Sequence, residues 1–362
     1  MQLLHLIEHE KDLQLIFNLL DDNARLVGGC VRDFILYGKL VYDIDIATPF
    51  LPDEIIARLS AKFKVVPTGI AHGTVTVFGK HKYEITTLRK DEKTIDGRHA
   101  IVSFDATWQE DSSRRDFTIN ALYADSSGNI YDYHNGINDL ENSLVKFINN
   151  PVKRIEEDYL RIMRFFRFAM RFGGYDQISL DACINLCGNL KKISRERITS
   201  EWLNLLSGKY FWQLLPKMIM VLESIGLKSD VKHIGGLTPL GMTSLFWKPD
   251  SMLLLSNEQK KYVRNLIELQ INSQTDAIMY AREYGNQFIQ DKMILDNKIF
   301  EIPDLGVFPI NGGMLQGIGF VGPEIGKMHL QLYRIWIEKI GNISTDQLIQ
   351  IALESLNRLH ND

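Results

Sequence analysis

LVGGCVRDFILYGKLVYDIDIAT, residues 26–48, decides how the chain is read. Ala24–Val27 predicts a short strand, Gly28-Gly29 a tight turn, and CVRDFILYG a short helix whose unpaired N–H groups point back at the turn. A helix start of this kind attracts phosphate. In YDIDIAT the strand period of two puts Asp43 and Asp45 on one face and Ile44 and Ile46 on the other. Two carboxylates side by side repel unless a cation neutralises them. Mg²⁺ does so, and a pair of such ions activates an attacking hydroxyl while stabilising a departing pyrophosphate. A glycine pair alone reads as a turn and a D-x-D alone as two solvated aspartates; in this order and spacing they point to phosphate chemistry. KYEITTLR adds Glu84 between apolar residues on another predicted strand, where it can face the first pair.

The rest of the chain sets bounds. At 362 residues and 45% hydrophobic it can hold two or three domains with real cores. A net charge of −4 argues against binding nucleic acid through bulk positive charge and leaves room for a local basic surface. Cys30, Cys183 and Cys187 make neither a disulfide framework nor a four-ligand zinc site, which predicts a reducing compartment, and Cys183 and Cys187 read as packing residues. The start MQLLHLIEHEKDLQLIF reads as an amphipathic helix, not a signal peptide, and no run approaches membrane-spanning length, so the expectation is a cytoplasmic protein with no membrane association.

Residues 24–145 mix β-type runs (VTVFG, YEITTL, HAIVSF, IYDYH) with one or two helices, the pattern of an α+β domain on a modest sheet. From Pro151 the character turns helical, and basic residues gather there: Lys153, Arg154, Arg161, Arg164, Arg167, Arg171, Lys191, Lys192, Arg195 and Arg197. INGGMLQGIGFVGPEIG, near the end, places a glycine-and-proline break between helical stretches, and Pro323 with its neighbours reads as a structural turn.

The glycine pair, the D-x-D and the later strand acid resemble the polymerase-β-like nucleotidyltransferase superfamily. DSSRRDFTINALYAD (111–125) and EEDYLRIMRFFRF (156–168) are more specific, resembling two long sequence blocks of class II tRNA nucleotidyltransferases and their relatives the bacterial poly(A) polymerases. The resemblance covers most of the chain, residues 215–300 being the least distinctive. It implies an α+β head with a small mixed sheet (1–150), followed by an all-α neck (151–215) and an all-α body and tail (216–362). It also implies Mg²⁺ as cofactor, CTP and ATP as substrates and the tRNA 3′ end as partner; no protein partner is expected.

Carried over residue by residue, the resemblance makes Asp43 and Asp45 the metal-holding catalytic acids, with Glu84 as the third. Gly28, Gly29 and Arg32 cradle triphosphate, Arg114 and Arg115 meet phosphate, and Asp116 and Asn120 can hydrogen-bond a ribose hydroxyl. Asp158 and Arg161, expected one turn apart on a single helix, read the incoming base, while Arg164 and Arg167 contact the bound nucleotide; Arg171 is open to RNA phosphate or an exposed helix face. Asp96–Ala100 (DGRHA) falls where the family has a mobile segment that assists the switch from C to A.

The implied activity is completion of the 3′ CCA of tRNA. Poly(A) polymerase is the nearest rival, and partial enzymes adding only CC or only A are open too. The poly(A) enzymes carry a basic GRRF-like run between the D-x-D and the third acid, where this chain has PTGIAHGTVTVFG. A non-catalytic RNA-binding protein is the reading from a different class, and an eroded acid or glycine pair would mark it.

Overall fold

The alternation read in Asp43–Thr48 builds the centre of a sheet. Ile44 and Ile46 are buried on one side of it, together with Val75, Val77, Tyr83 and Ile85 of neighbouring strands. The structure, a computed structural model, describes residue 7 and residues 9–39, 43–94 and 100–359. Helix α1 (Lys11–Leu19) leads to β1 (Arg25–Val27), α2 (Gly29–Tyr37), β2 (Asp43–Thr48) and α3 (Pro52–Leu59). Strands β3 (Lys64–Gly69), β4 (Thr74–Phe78) and β5 (Lys82–Thr87) follow, then a separate hairpin of β6 (Lys90–Thr94) and β7 (Ala100–Ser103). After α4 (Trp108–Ser113) come β8 (Leu122–Ala124) and β9 (Ile130–Asp132).

The seven-stranded sheet has the order β3-β4-β5-β2-β1-β8-β9. Only β2 and β5 pair in parallel, so the sheet is mixed, as expected. Buried residues of α1 (Ile16, Phe17) and α3 (Ile55, Leu59) join the apolar side, and α3 packs on β3 and β4. The opposite face carries Asp43, Asp45 and Glu84 and is open at the Asp43 end, while a smaller apolar cluster of Val27, Ala47, Leu88 and Tyr123 covers the part beside it.

Beyond α5 (Gly136–Glu141) the described chain is helical: α6 (Pro151–Glu157), α7 (Arg161–Phe172), α8 (Gln177–Leu186) and α9 (Arg195–Leu205). Asn150 caps α6 by accepting from Lys153 N at 3.1 Å, with Pro151 at the first helical position, where its missing N–H costs nothing. The uninterrupted helix expected through Asp158 is corrected here. Asp158 is extended (φ −156°, ψ 105°) and its Oδ1 accepts from Leu160 N at 3.1 Å. Such a side-chain turn competes with the helical hydrogen bond, so α6 ends and α7 starts afresh.

Aromatic packing fixes α7 on the sheet domain. Phe147 stacks on Phe165 at 5.7 Å, and Phe117 meets Phe147 at 4.8 Å and Phe168 at 5.5 Å. Phe117, Phe147 and Phe165 are essentially buried. Truncating any one of them to alanine should cost about 3–5 kcal/mol, so the arginines on the other face of α7 are held rigidly.

The chain forms two compact units, Met1–Ser229 with Lys248–Leu254, and Asp230–Trp247 with Leu255–Asp362. In the second, helices Pro323–Glu338 and Thr345–Leu359 bury Leu332, Trp336, Leu348 and Ala352. The glycine-proline break is a turn there, Gly322 having φ +52° immediately before Pro323 opens a helix. Cys30, Cys183 and Cys187 are buried free thiols. Among the described residues no helix is long and apolar enough to cross a membrane.

Candidate active site

The parallel register sets Asp45 opposite Glu84 and Asp43 opposite Lys82. All three expected acids therefore share the open face. Burial, with Asp43 and Glu84 beside it, pushes the Asp45 carboxyl up to about 6 against the pull of Arg115 and Lys82. Crowded, under-neutralised oxygen donors suit a hard divalent cation, and Asp43 and Asp45 are the pair that would hold it. Glu84 Oε1 is instead engaged by Lys82 Nζ at 2.5 Å. Among the described residues no group of three or more His, Cys, Asp or Glu side chains is arranged to hold a metal ion.

On the other side of β2, the turn from β1 into α2 has Gly28 at φ +75° and ψ −123°, a conformation that essentially requires glycine. Gly28 N–H donates to Leu122 O at 2.9 Å, which ties the turn to β8. Arg32, buried on the first turn of α2, donates to Asn120 Oδ1 at 2.5 Å and to Asp33 Oδ1 at 2.8 Å, and lies 5.0 Å from the Phe168 ring centroid. Asn120 Nδ2 in turn donates to Asp116 Oδ1 at 3.1 Å. Asp116 Oδ2 accepts from Arg164 Nε at 2.7 Å. Burial alone would raise the Asp116 carboxyl; Arg164 and Arg161 outweigh it and hold it at about 2.

Asp111 organises the two adjacent arginines. Only 1% exposed, its Oδ1 accepts from Arg114 at 2.9 and 2.7 Å and its Oδ2 from Arg115 at 3.1 Å and from the Tyr123 hydroxyl at 2.6 Å. Burial works against its charge, but Arg115 and Arg114 prevail and keep the carboxyl at about 2. The sequence assigns Asp111 no role of its own; its place on α4, three and four residues before Arg114 and Arg115, is the local signal for the pairing.

Asp158 and Arg161 both reach the site, though not as a helical pair. Arg161 donates to Glu157 Oε2 at 2.6 Å, Arg154 O at 2.7 Å and Arg114 O at 3.2 Å. Asp158 is gripped in bidentate fashion by Arg197 of α9, at 2.7 and 3.2 Å. Arg167 donates to Glu201 Oε2 at 2.7 Å and covers Phe168 at 4.2 Å, while Arg171 meets Asp33 at 3.0 Å on α2. Arg197 and Glu201 went unassigned in the sequence because nothing local links α9 to α7.

Every expected site residue except Glu84 lines one cleft of about 530 Å³, joined by Leu160, Phe168 and Arg197. Asp96–His99, expected to assist the C-to-A switch, lie outside the described residues. The cleft sets a carboxylate pair against a wall of guanidinium groups, a layout for transfer of a negatively charged group.

The sheet domain is that of a nucleotidyltransferase head: residues 24–146 match the family described as the Poly A polymerase head domain. The chain is 32% identical over 389 residues to CCA tRNA nucleotidyltransferase 1, mitochondrial, of Danio rerio, covering 94% of this chain and 89% of that protein. The CCA-adding enzyme of Oceanobacillus iheyensis is 42% identical over 187 residues, 51% of this chain and 46% of its own length. The chain belongs to the CCA tRNA nucleotidyltransferase family. Its fold is shared with the Bacillus stearothermophilus CCA-adding enzyme in complex with CTP, with a TM-score of 0.74 and 22% identity over 96% of this chain and 98% of that one.

Proposed function

We propose that this nucleotidyltransferase completes or repairs the 3′-terminal CCA of tRNA from CTP and ATP, releasing pyrophosphate. The observation that carries the reading is the single cleft in which Asp43 and Asp45, the guanidinium groups of Arg32, Arg114, Arg115, Arg164 and Arg167, and the Asp158–Arg161 pair converge. Enzymes of this family use a divalent metal; we assign Mg²⁺, held by Asp43 and Asp45 with Glu84 beside them. When bound, the ion lowers the pKa of the attacking hydroxyl and neutralises charge on the leaving oxygens.

The chain's own residues do the rest. Gly28 and Gly29 let the α2 N–H groups approach phosphate closely, and Arg32, Arg114 and Arg115 offset the triphosphate charge, so that the α-phosphorus faces the RNA 3′-hydroxyl. Asp116 and Asn120, on this reading, bond a ribose hydroxyl. Cytosine and adenine each present an exocyclic amine beside a ring-nitrogen acceptor. Asp158 accepts from the first, and Arg161, whose five N–H donors exceed its present partners, donates to the second. Guanine and uracil present a carbonyl and a ring N–H instead and leave both side chains mispaired.

We assign nucleotide transfer to residues 1–150, base choice to 151–215 and tRNA binding to 216–362. A cytoplasmic site of action agrees with the three free thiols. Asp45→Asn should abolish incorporation into tRNA lacking CCA while leaving circular dichroism unchanged and the urea midpoint at or above that of wild type, since it removes a charge that the fold disfavours. Incorporation retained by that protein sinks the catalytic assignment.

A further inference from the structure

The open face of the sheet continues past the acids, and its register places chemistry there that the nucleotide cleft does not use. The row that begins at Asp43 runs through Lys82 on β5 and Phe78 on β4 to Lys64 on β3. At about 4.8 Å per strand this row spans roughly 14 Å. Phe78 is 44% exposed, on the sheet face opposite the buried Val75 and Val77. Lys64 Nζ lies 5.8 Å from the Phe78 ring centroid, and the Lys82 side chain is 49% exposed. Lys80 lies in the turn between β4 and β5, outside this row, and the Lys82 ammonium is shared with Glu84.

A lone exposed phenylalanine needs no explanation. One set between two ammonium groups, in the same row as a catalytic aspartate, matches what single-stranded nucleic acid requires: a flat face for a base and cations for its phosphates. Sheet order adds the second half of the argument. Gly28, Gly29 and Arg32 come from the β1–α2 side of β2, whereas β5, β4 and β3 lie on the other side. Two substrates approaching from opposite sides would meet at Asp43 and Asp45.

We propose that Lys64, Phe78 and Lys82 form a strip that holds the single-stranded 3′ end of the RNA, with one base stacked on Phe78 and its phosphates beside the two lysines. This assignment rests on the reading that the substrate is RNA. The strip leads the terminal hydroxyl to the edge of the carboxylate pair.

The test is direct binding of two fluorescent RNA minihelices, one with a single-stranded 3′ overhang and one blunt, at fixed salt. Lys82 is left intact because it touches Glu84. Phe78→Ala should weaken overhang binding about tenfold, the order expected for one lost base stack. Phe78→Trp should restore it, Lys64→Ala should lower the salt dependence, and neither blunt-RNA nor CTP affinity should change. Overhang binding by Phe78→Ala equal to wild type, an equal loss on blunt RNA, or a wild-type protein indifferent to the overhang overturns the strip. If wild type extends RNA while Phe78→Ala binds normally, the strip falls and the reaction stands. If wild type extends no RNA yet needs Phe78 to bind the overhang, the reaction falls and the strip stands.

Discussion

Replacing Asp111 with asparagine keeps the side chain's shape and removes the charge on which Arg114 and Arg115 converge. The carboxyl is held at about 2 in the folded protein. Against an ordinary value near 3.9 in the unfolded chain, that gap converts to about 2–3 kcal/mol at pH 7. The side chain is 1% exposed, so solvent screening takes little away, and the two guanidinium groups left facing each other place the cost at about 3 kcal/mol. For a unit of this size the melting temperature should fall by roughly 6–12 °C. Because the folded pKa is depressed, the contribution is complete above pH 4 and disappears as pH falls through 2. The difference between wild type and Asp111→Asn in urea unfolding should therefore be constant from pH 7 to 5 and shrink between pH 4 and 2; Asp116 titrates in the same range in both proteins and cancels. With its arginines released, the variant should also show a raised KM for CTP and ATP. An unchanged urea midpoint at pH 7, or a difference that persists undiminished at pH 2, refutes the reasoning.

Arg197→Met should free Asp158 from its bidentate partner and raise misincorporation of UTP and GTP by about tenfold, the factor that ~1.4 kcal/mol supplies; Asp158→Ala should do the same, and unchanged discrimination in both would remove them from base choice. Gly28→Ala forces a side chain into φ +75° and should cost about 1–3 kcal/mol, read as a lower urea midpoint together with weaker CTP binding. A midpoint equal to wild type would mean that the turn tolerates a Cβ.

What the sequence made legible was local. Gly28-Gly29 ahead of a short helix, Asp43 and Asp45 sharing a strand face, and the RRDFTIN run each declare themselves within a few residues. Glu84 opposite Asp45 was expected in kind, because strand period fixes its face; the register that also delivers Lys82 to Glu84 depends on how β2 and β5 align. The break at Asp158 escaped because the apolar period runs through it, while the turn is made by one side-chain oxygen reaching Leu160 N. Arg197 gripping Asp158 and Arg171 meeting Asp33 join segments 39 and 138 residues apart. No local pattern encodes such pairs: packing of α7 against Phe117 and Phe147 brings Arg171 to Asp33, and packing of α9 on α7 brings Arg197 to Asp158.

The central claim is tested most directly by following CTP and ATP incorporation, at single-nucleotide resolution and with Mg²⁺, into three labelled RNAs: a tRNA lacking its CCA, the same tRNA ending in CC, and an unstructured strand. The account predicts three additions to the first, a single A on the second and little on the third. Long A tails on the unstructured strand, a stop after CC, a requirement for CC, or no incorporation at all would each contradict it.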